Sequence, residues 1–404
     1  MNPVQMVENE YESCKRCGIC LQKCPILQYE EEMSIAEISK LRDWEKSEVI
    51  DRCISCFSCD AFCPNDNHPY ELILSNKYKI YQETKKIPGR SEGALPLSKK
   101  NFLHYAEKKM DQETLTVLDK WKDNSYKDLS GEKEVILAGC NYQIYPELIN
   151  NPIFKDTVVI GAKDLCCGEV YFRMSLFNVV EKLSEHIQER YKRMKIKKLI
   201  VPCMAGYSML SNILPNEFGA KFDFEIEYGG EWVLNRLKSG EIPIERKVEK
   251  KISVQESCHG KILGDDFMNV PRDILKFIGA DIDEMEHSRV NAICCGAADG
   301  IRKFNPIDML KGSFRQIKEA RATEAEMLSP YCATCLLMLS SGKLFYPGKL
   351  EINHLFALVS YAAGYTELEK PTKRAGQILQ GLIPAAIPSI LTNKKIDPEK
   401  DLPK

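Results

Sequence analysis

The spacing of hydrophobic residues predicts two kinds of structure along the chain. From Gln28 to Asp51, Ile and Leu recur among Glu and Lys at helical spacing, and Asn101 to Lys122 has the period of an amphipathic helix. Four apolar residues are candidates for the inward face of the second helix: Leu103, Met110, Leu115 and Leu118. Beyond Gly131, short strand-like apolar runs are separated by two longer helical patterns, Ser175 to Met194 and Pro306 to Glu326. We therefore expect a helical N-terminal region followed by α/β structure.

The region beyond Gly131 repeats one order of elements twice. A strand-like run ends in a cysteine in each half, VILAGC at Cys140 and ISVQESC at Cys258. An adjacent cysteine pair with a glycine follows, then a long helical pattern, and then a short apolar run that ends in another cysteine. Strand–helix–strand order predicts parallel strands with crossover helices, so the cysteines should gather at the carboxyl ends of the strands. We expect two related units whose cysteine loops face a shared cleft.

Composition indicates where the protein acts and which partners are not expected to bind it. The chain has 404 residues with 56 Lys and Arg against 58 Asp and Glu, and this balance gives no general attraction to nucleic acid. The N-terminal residues resemble no signal peptide, and the sequence holds no apolar run long enough for a membrane span. We expect a cytoplasmic protein, and in a reducing compartment its 17 cysteines should serve as ligands or catalysts rather than form disulfides.

The first eight cysteines form two copies of the bacterial ferredoxin motif, Cys-x2-Cys-x2-Cys-x3-Cys-Pro. In that arrangement three thiolates of one motif and the last thiolate of the other hold each 4Fe-4S cube. One cube is expected on Cys14, Cys17, Cys20 and Cys63. The other is expected on Cys53, Cys56, Cys59 and Cys24. Zinc is the alternative, and it is disfavoured because zinc prefers paired cysteines on two separate knuckles.

The second repeat unit contains five further cysteines: Cys258, Cys294, Cys295, Cys332 and Cys335. Adjacent cysteines do not easily chelate one small ion, but they can bridge different irons of a larger cluster. Gly296, which follows the pair, allows a sharp turn and a close approach of the backbone to the cluster. Two alternatives remain: a metal-free dithiol relay, because two of the cysteines have redox-motif spacing, and a chance grouping of buried thiols.

These motifs resemble the CCG domain, the paired-cysteine module of heterodisulfide reductase, from Tyr11 to about Tyr365. Their order is similar to that of the D subunit of heterodisulfide reductase and its relatives, which include the C subunit of anaerobic glycerol-3-phosphate dehydrogenase and glycolate oxidase iron-sulfur subunits. The resemblance implies a noncubane 4Fe-4S cluster on the five cysteines of the second unit. It also implies that a disulfide between two thiol coenzymes is split there, and these five cysteines are the expected catalytic residues.

The first repeat unit departs from that pattern. Its candidate cofactor ligands are Cys140, Cys166, Cys167 and Cys203, and Gly206 occupies the position of the fifth thiol. The same loss occurs in relatives of the glycerol-3-phosphate dehydrogenase type. Three outcomes remain open for this unit: a cluster with an open iron, a smaller or ordinary 4Fe-4S cluster, or no cluster.

The expected fold class is therefore α+β and α/β, with a helical ferredoxin-like module followed by two tandem, pseudo-twofold-related CCG α/β units. Thr84 to Lys100 has the composition of a connecting loop. The apolar stretch from Ile378 to Leu391 is short and interrupted by glycine and prolines, which favours a packing tail. The expected domains are the two-cube module at 1–86, a linker and helix at 87–130, the incomplete CCG domain at 131–249, the complete CCG domain at 250–370 and a tail at 371–404.

Four polar residues near the cysteines are further functional candidates. His259 could donate a proton to a released thiolate, although we expect a loop histidine bonded to backbone. His354 should cap a helix rather than face the cluster cavity. Arg173 and Lys303 could meet an anionic substrate, although solvent-exposed charges are the expectation.

The leading functional hypothesis is an anaerobic iron-sulfur oxidoreductase subunit that passes electrons through the cubes to the second unit, where a small thiol or disulfide substrate reacts. The alternative is an electron relay between a flavoprotein dehydrogenase and a quinone or membrane partner, with no substrate site of its own. A zinc-stabilised interaction protein is disfavoured. The sequence has no dinucleotide-binding, P-loop or haem-attachment motif, so we expect a flavoprotein or other electron donor as partner, with a membrane-bound partner as a further possibility that would hold the chain at the inner face of the membrane.

Overall fold

A computed structural model describes residues 14–298, 306–368, 370–390 and 394–403. The N-terminal module is built from short helices around two cysteine loops: α1 (Ile19–Gln22), α2 (Glu31–Arg42), α3 (Val49–Arg52), α4 (Ser58–Ala61) and α5 (Pro69–Thr84). The helical insert predicted between Gln28 and Asp51 is present as α2 and α3. Helices α1 and α4 each follow a residue with left-handed backbone, Gly18 with φ 72° and Phe57 with φ 64°. This geometry turns each cysteine loop sharply before its third cysteine.

The segment after α5 packs more tightly than its composition suggests. It holds strand β1 (Ile87–Pro88), a 3₁₀ turn (Gly89–Ala94), α6 (Phe102–Glu107) and α7 (Gln112–Asn124). Residues of the 3₁₀ turn are buried, so the loop expected here is part of the folded body. The single helix predicted over Asn101–Lys122 is wrong in one respect: it forms as two helices. The Asp111 side chain accepts a hydrogen bond from Thr114 N at 2.8 Å and starts a second helix there.

The first α/β unit is a four-stranded parallel sheet with strand order β3-β2-β4-β5. Its strands are β2 (Val135–Leu137), β3 (Val158–Ile160), β4 (Lys198–Val201) and β5 (Glu225–Tyr228). Its helices are α8 (Glu169–Arg173), α9 (Phe177–Met194), α10 (Met204–Ser208), α11 (Leu214–Phe218) and α12 (Gly229–Lys238), and one π-helical turn (Met209–Ile213) joins α10 to α11. The predicted long helix near Ser175–Met194 is α9.

The second unit repeats this topology with strand order β7-β6-β8-β9, again all parallel. Its strands are β6 (Lys251–Gln255), β7 (Asp281–Ile282), β8 (Met327–Pro330) and β9 (Glu351–Ile352). Its helices are α13 (Cys258–Leu263), α14 (Asp265–Phe277), α15 (Pro306–Ala320), α16 (Ala333–Phe345) and α17 (Leu355–Ala362). Helix α15 ends six residues before the predicted Glu326, because the chain must turn into β8. The expected α+β and α/β fold with a repeated unit is confirmed.

The two sheets share one hydrophobic core. Ile136 and Ile200 of the first sheet and Val254 and Leu328 of the second belong to a single cluster of buried residues. The C-terminal helix α18 (Pro371–Ile390) contacts α6 and α16, and β10 (Lys395–Ile396) pairs antiparallel with β1. Among the described residues, no helix is both long and apolar enough to cross a membrane.

Candidate iron-sulfur sites

The thiols expected to hold the first cube converge on one cavity. Cys14, Cys17, Cys20 and Cys63 all line it, although Cys63 comes from the second motif. Gly18 makes the close approach possible, because a Cβ added there would meet Ile35 N at 2.8 Å. Four thiols around one cavity form the donor set of a 4Fe-4S cube, so these residues fit that group.

The second motif and Cys24 form the neighbouring set. Burial raises the pKa of Cys24 to about 11, and the charges of Cys56 and Cys53 act in the same direction. Burial also raises the pKa of Cys59, with further contributions from Cys53, Cys20 and Cys56. Cys53 and Cys56 therefore lie near both Cys24 and Cys59, and Cys59 also lies near Cys20 of the first set. Backbone N–H groups at 3.3–3.5 Å from Cys53 Sγ and Cys24 Sγ can stabilise thiolate charge.

The CCG cysteines occupy equivalent positions in the two sheets. Cys140 and Cys258 each lie three residues after the end of a central strand, β2 and β6. Cys203 and Cys332 each lie two residues after the end of the neighbouring central strand, β4 and β8, and each is the N-cap of the next helix. The sequence repeat therefore places its cysteines at the carboxyl ends of parallel strands, as expected.

In the second unit the thiols are in mutual contact. Cys294, Cys295, Cys332 and Cys335 are buried in one cluster. Hydrogen bonds from Cys294 and Cys335 hold the pKa of Cys295 well below its usual value, and a hydrogen bond from Cys335 lowers the pKa of Cys332. The charges of Cys332 and Cys295 also act on Cys258. Four thiols in one buried group, with the half-buried Cys258 near them, fit a multinuclear cluster.

Gly296 makes the sharp turn that we expected, its N–H donates to Cys294 Sγ at 3.3 Å, and it also permits a second close contact. Its φ of 102° needs glycine, and a Cβ there would lie 2.1 Å from the backbone oxygen of Met309 in α15. The close approach is therefore to helix α15, where Gly312 faces it in turn. The cysteine pair is held against this helix by backbone packing.

The first unit also gathers its cysteines. Cys140, Cys166, Cys167 and Cys203 line a small cavity together with Gly206. Gly206 lies within α10, and an added Cβ would meet Val201 Cγ1 at 3.3 Å. Gly206 thus stands in the first turn after Cys203 just as Cys335 stands in the first turn after Cys332. Its backbone does not adopt the positive φ that would require glycine.

Tyrosine side chains occupy the interval between the two CCG sites. Tyr142 and Tyr228 are each fully buried, and each lies close enough to Cys203 and Cys332 for both charges to raise its pKa, after the larger effect of burial. The two cysteine sets thus lie toward each other. These buried rings lie near both sets, and the shared cleft stays a prediction.

Two of the polar candidates differ from expectation. Arg173 is buried rather than exposed, because its guanidinium is surrounded by hydrogen-bond acceptors from three segments. His259 lies in helix α13 rather than a loop, and its Nε2 lies 3.0 Å from Glu169 Oε1 instead of bonding to backbone. Burial acts to raise the pKa of Glu169, but the charge of Arg173 and the hydrogen bond with His259 outweigh it and bring that pKa to about 2.

The other two candidates have simpler outcomes. His354 caps α17, accepting a hydrogen bond from Phe356 N at 3.1 Å, so the predicted capping role is confirmed. Burial lowers the pKa of His354 to about 3, which keeps the imidazole neutral. Lys303 lies outside the described residues.

Sequence reasoning missed a buried lysine between the modules. Lys261 Nζ donates to Ser58 Oγ at 2.7 Å and to the backbone oxygen of Ala292. Ser58 in turn lies 3.4 Å from Cys56 Sγ. A lysine one turn after Cys258 is the only sequence signal for this link, and lysine at such a position is ordinarily exposed.

A cavity of about 660 Å³ opens between α15 and the cysteine loop that is expected to hold the second cube. Ile26, which follows the first cysteine motif, and Ile54, which lies within the second, line this cavity. Its cationic lining residues are Arg52, Lys311, Arg315 and Lys318. Two carboxylates, Asp51 and Asp308, also line it, so the cavity has an excess of positive charge.

No three His, Cys, Asp or Glu side chains in the described part of the chain are placed to share a single metal ion. The cysteine sets are instead arranged around cavities or buried groups of sulfur atoms.

The chain is similar to known iron-sulfur proteins. Residues 10–67 match the 4Fe-4S dicluster domain, and residues 252–340 match the cysteine-rich CCG domain. The D subunit of the dihydromethanophenazine:CoB–CoM heterodisulfide reductase of Methanosarcina mazei is 22% identical over 90% of this chain and 96% of its own length. A probable glycolate oxidase iron-sulfur subunit of Bacillus subtilis is 22% identical over 89% of this chain and 96% of its own length.

A third relative is a longer protein, and the match covers less than half of it. The EtfAB:quinone oxidoreductase of Syntrophomonas wolfei is 23% identical over 77% of this chain and 46% of its own length. The resemblance to the D subunit of heterodisulfide reductase and to related iron-sulfur proteins is therefore confirmed, and the chain carries both a 4Fe-4S dicluster domain and a CCG domain.

Proposed function

We propose that this chain, an iron-sulfur oxidoreductase component similar to the D subunit of heterodisulfide reductase, passes electrons through two 4Fe-4S cubes to a noncubane cluster in the second CCG unit, where a disulfide is reduced or formed. The observation that carries the proposal is one packing contact. Cys56 of the second cube's loop belongs to the same buried cluster as Cys294, Cys295, Cys332 and Cys335. One expected ligand of the second cube, Cys56, therefore packs in the same buried group as four thiols of the second unit.

The residues proposed to hold the cubes are those expected from the ferredoxin motifs, and those proposed to hold the noncubane cluster are those implied by the resemblance to heterodisulfide reductase. One cube would be held by Cys14, Cys17, Cys20 and Cys63. The other would be held by Cys53, Cys56, Cys59 and Cys24. The noncubane cluster would be held by Cys258, Cys294, Cys295, Cys332 and Cys335. When bound, these groups supply one-electron steps, and two electrons with two protons convert a disulfide into two thiols.

Contacts within the chain indicate which of the three proposed cluster sites are neighbours. The charge of Cys20 contributes to the raised pKa of Cys59, so the two cube sites are neighbours. Lys261 ties the loop of Cys56 to the backbone just before Cys294. Burial around these contacts excludes water, which protects reduced sulfur ligands from side reactions. The second cube site therefore lies between the first cube site and the second CCG unit, so electrons delivered to either cube would reach the second unit through the second cube.

A specific observation favours the electron-relay alternative. Gly206 leaves the first unit with four thiols, so coenzyme disulfide chemistry in both units is not supported. The EtfAB:quinone oxidoreductase relative, by its name, acts between EtfAB and a quinone. In this alternative the second unit would hand electrons to such a partner and bind no disulfide.

Reoxidation of the reduced protein distinguishes the two functions. We expect anoxically purified, dithionite-reduced protein, freed of excess dithionite, to be reoxidised by the CoB–CoM heterodisulfide or another small organic disulfide. The absorbance change at the iron-sulfur bands measures the rate, and the corresponding free thiols serve as the control. No reoxidation by any disulfide, together with rapid reoxidation by a soluble quinone, would support the relay instead.

We further propose that the basic cavity beside the second cube receives an acidic electron-donor protein, in the cytoplasm or at the inner face of the membrane. Lys311, Arg315 and Lys318 are exposed and spaced along one face of α15. Ile307, Phe345 and Tyr346 are exposed apolar residues on and near this helix. A positive rim around an apolar patch suits a negatively charged partner, because opposite charges speed association.

Charge reversal at this rim should slow reduction by such a donor. For Lys311→Glu/Lys318→Glu we expect reduction by an acidic flavodoxin or ferredoxin to fall by about tenfold or more at low salt, with the difference shrinking as salt screens the charges. Stopped-flow reduction measures the rate. The matched control is Lys120→Glu/Lys192→Glu, which makes the same charge change at exposed lysines of the first-unit side. An equal loss in the control would show a general charge effect and no docking site.

A further inference from the structure

A buried arginine of the first CCG unit reaches the cysteine site of the second. Arg173 ends α8, and its side chain is 3% exposed. Its Nη2 lies 3.3 Å from Cys258 Sγ, and its Nη1 donates to the backbone oxygen of Ser55. The guanidinium also stacks on Phe57, with Cζ 4.4 Å from the ring centroid. One side chain therefore contacts the second cube's loop and the second unit's first cysteine.

This cation is held by a fixed set of partners. Arg173 Nε donates to Glu169 Oε1 at 2.6 Å, and Nη2 lies 3.0 Å from His259 Nε2. Glu169 and Arg173 are four residues apart, on successive turns of the first unit's helix α8. A buried charge is costly unless it is paired and hydrogen-bonded, so these partners are needed to keep the guanidinium beside sulfur.

We propose that Arg173 is a positioning residue that raises the reduction potential of the cluster in the second unit and holds that site against the second cube's loop. The inference rests on the proposed function, because it presumes a cluster on Cys258, and it deepens that function by naming the residue that tunes it. A fixed positive charge that donates N–H to a ligand sulfur stabilises the form with one more electron. Glu169 has the opposite effect, because its carboxylate is the negative half of the pair.

The proposal gives the first CCG unit a role that does not depend on a cluster of its own. Its paired-cysteine glycine is followed at once by Glu169 and, four residues later, by Arg173. The helix that the first unit's cysteine turn initiates thus carries a charge pair to the neighbouring site. Loss of the fifth thiol at Gly206 leaves this function intact.

Opposite substitutions in the pair separate tuning from structure. We expect Arg173→Gln to lower the midpoint potential of the second-unit cluster and Glu169→Gln to raise it. Each shift should be at least tenfold in the ratio of reduced to oxidised cluster at a fixed potential, which corresponds to about 59 mV for one electron. Arg173→Lys retains the charge and should lie nearer to the wild type. Simple damage to the site would move both glutamine variants in the same direction.

The measurement is a dithionite titration of the anoxic full-length protein followed by EPR, with iron counted per chain. The matched control is Arg236→Gln, because Arg236 is also mostly buried, paired with glutamates and stacked on a ring, with Cζ 4.4 Å from the Trp232 centroid. Its potential should equal that of the wild type. Shifts of one sign in both pair variants, or no shift, would overturn the role of Arg173.

Two further results keep the test decisive. If Arg173→Gln loses the cluster, the other two variants still test the proposal. Glu169→Gln must then raise the midpoint potential of the second-unit cluster, and Arg173→Lys must leave it near the wild-type value. Failure of either result overturns the proposal. If the wild type shows only the two cubes and no third signal, the proposed function fails first and this inference with it. A third signal that the pair variants leave unmoved would contradict this inference alone.

Discussion

Replacing Cys335 by glycine should abolish reaction with disulfides while leaving both cubes in place. Cys335 is buried in one group with Cys294, Cys295 and Cys332 and stands at the position of Gly206, so its loss leaves the second unit with the four-thiol pattern of the first. We expect disulfide-dependent reoxidation to fall by more than about 100-fold, beyond the roughly 10- to 100-fold effect typical of losing an outer-shell partner of a metal site. The rate is measured by stopped flow, and iron content with EPR reports the cubes.

The matched control is Ala333→Gly, which places a glycine in the same first turn of α16 without removing a thiol. Each substitution costs helix stability on the order of 1 kcal/mol or less, so the pair differs chiefly in the sulfur. Turnover that survives Cys335→Gly would remove the second unit as the reactive site and leave the electron relay. The reverse change, Gly206→Cys, requires no positive φ because Gly206 is helical, but Val201 Cγ1 would lie 3.3 Å from the new Cβ and must shift by a few tenths of an ångström.

Much of the candidate site could be predicted from the spacing of the cysteines, because that spacing reflects how far each cysteine lies from the end of its strand. Cys203 and Cys332 follow their strands by the same number of residues, and each begins a helix. Gly206 and Cys335 are equivalent because each lies three residues after that cysteine, in the first turn of the helix. Parallel strands bring their carboxyl ends to one edge, so loops distant in sequence meet without any further information.

Contacts between modules could not be predicted in the same way. Arg173 and Lys261 are long cationic side chains, which the sequence alone assigns to the surface. Their burial depends on how the N-terminal module and the two sheets are placed against one another. The tyrosines between the CCG sites are a similar case, since Tyr142 and Tyr228 are remote from each other in sequence and meet only in the shared core. The way in which one domain packs against another leaves no periodic pattern in the sequence.

Cross-ligation of the cubes should make Cys17 and Cys63 equivalent in their effects. Although the two residues belong to different motifs, both line the same cavity. We expect Cys17→Ala and Cys63→Ala each to lose about four iron atoms per chain and to leave the same remaining EPR spectrum, because both substitutions remove a ligand of one cube. Cys24→Ala should lose a similar amount of iron and leave a different spectrum.

The comparison is informative because the substitutions place unequal demands on packing. Cys17 is exposed, whereas Cys63 is half-buried, so a shared effect cannot come from core packing alone. If each motif held its own cube, Cys63→Ala would instead match Cys53→Ala. Stoichiometric zinc without iron in the anoxically purified wild type would contradict the cube assignment altogether. Agreement between Cys17→Ala and Cys63→Ala would establish that the two motifs exchange their last thiolates, and that the first cube closes only when both loops are folded together.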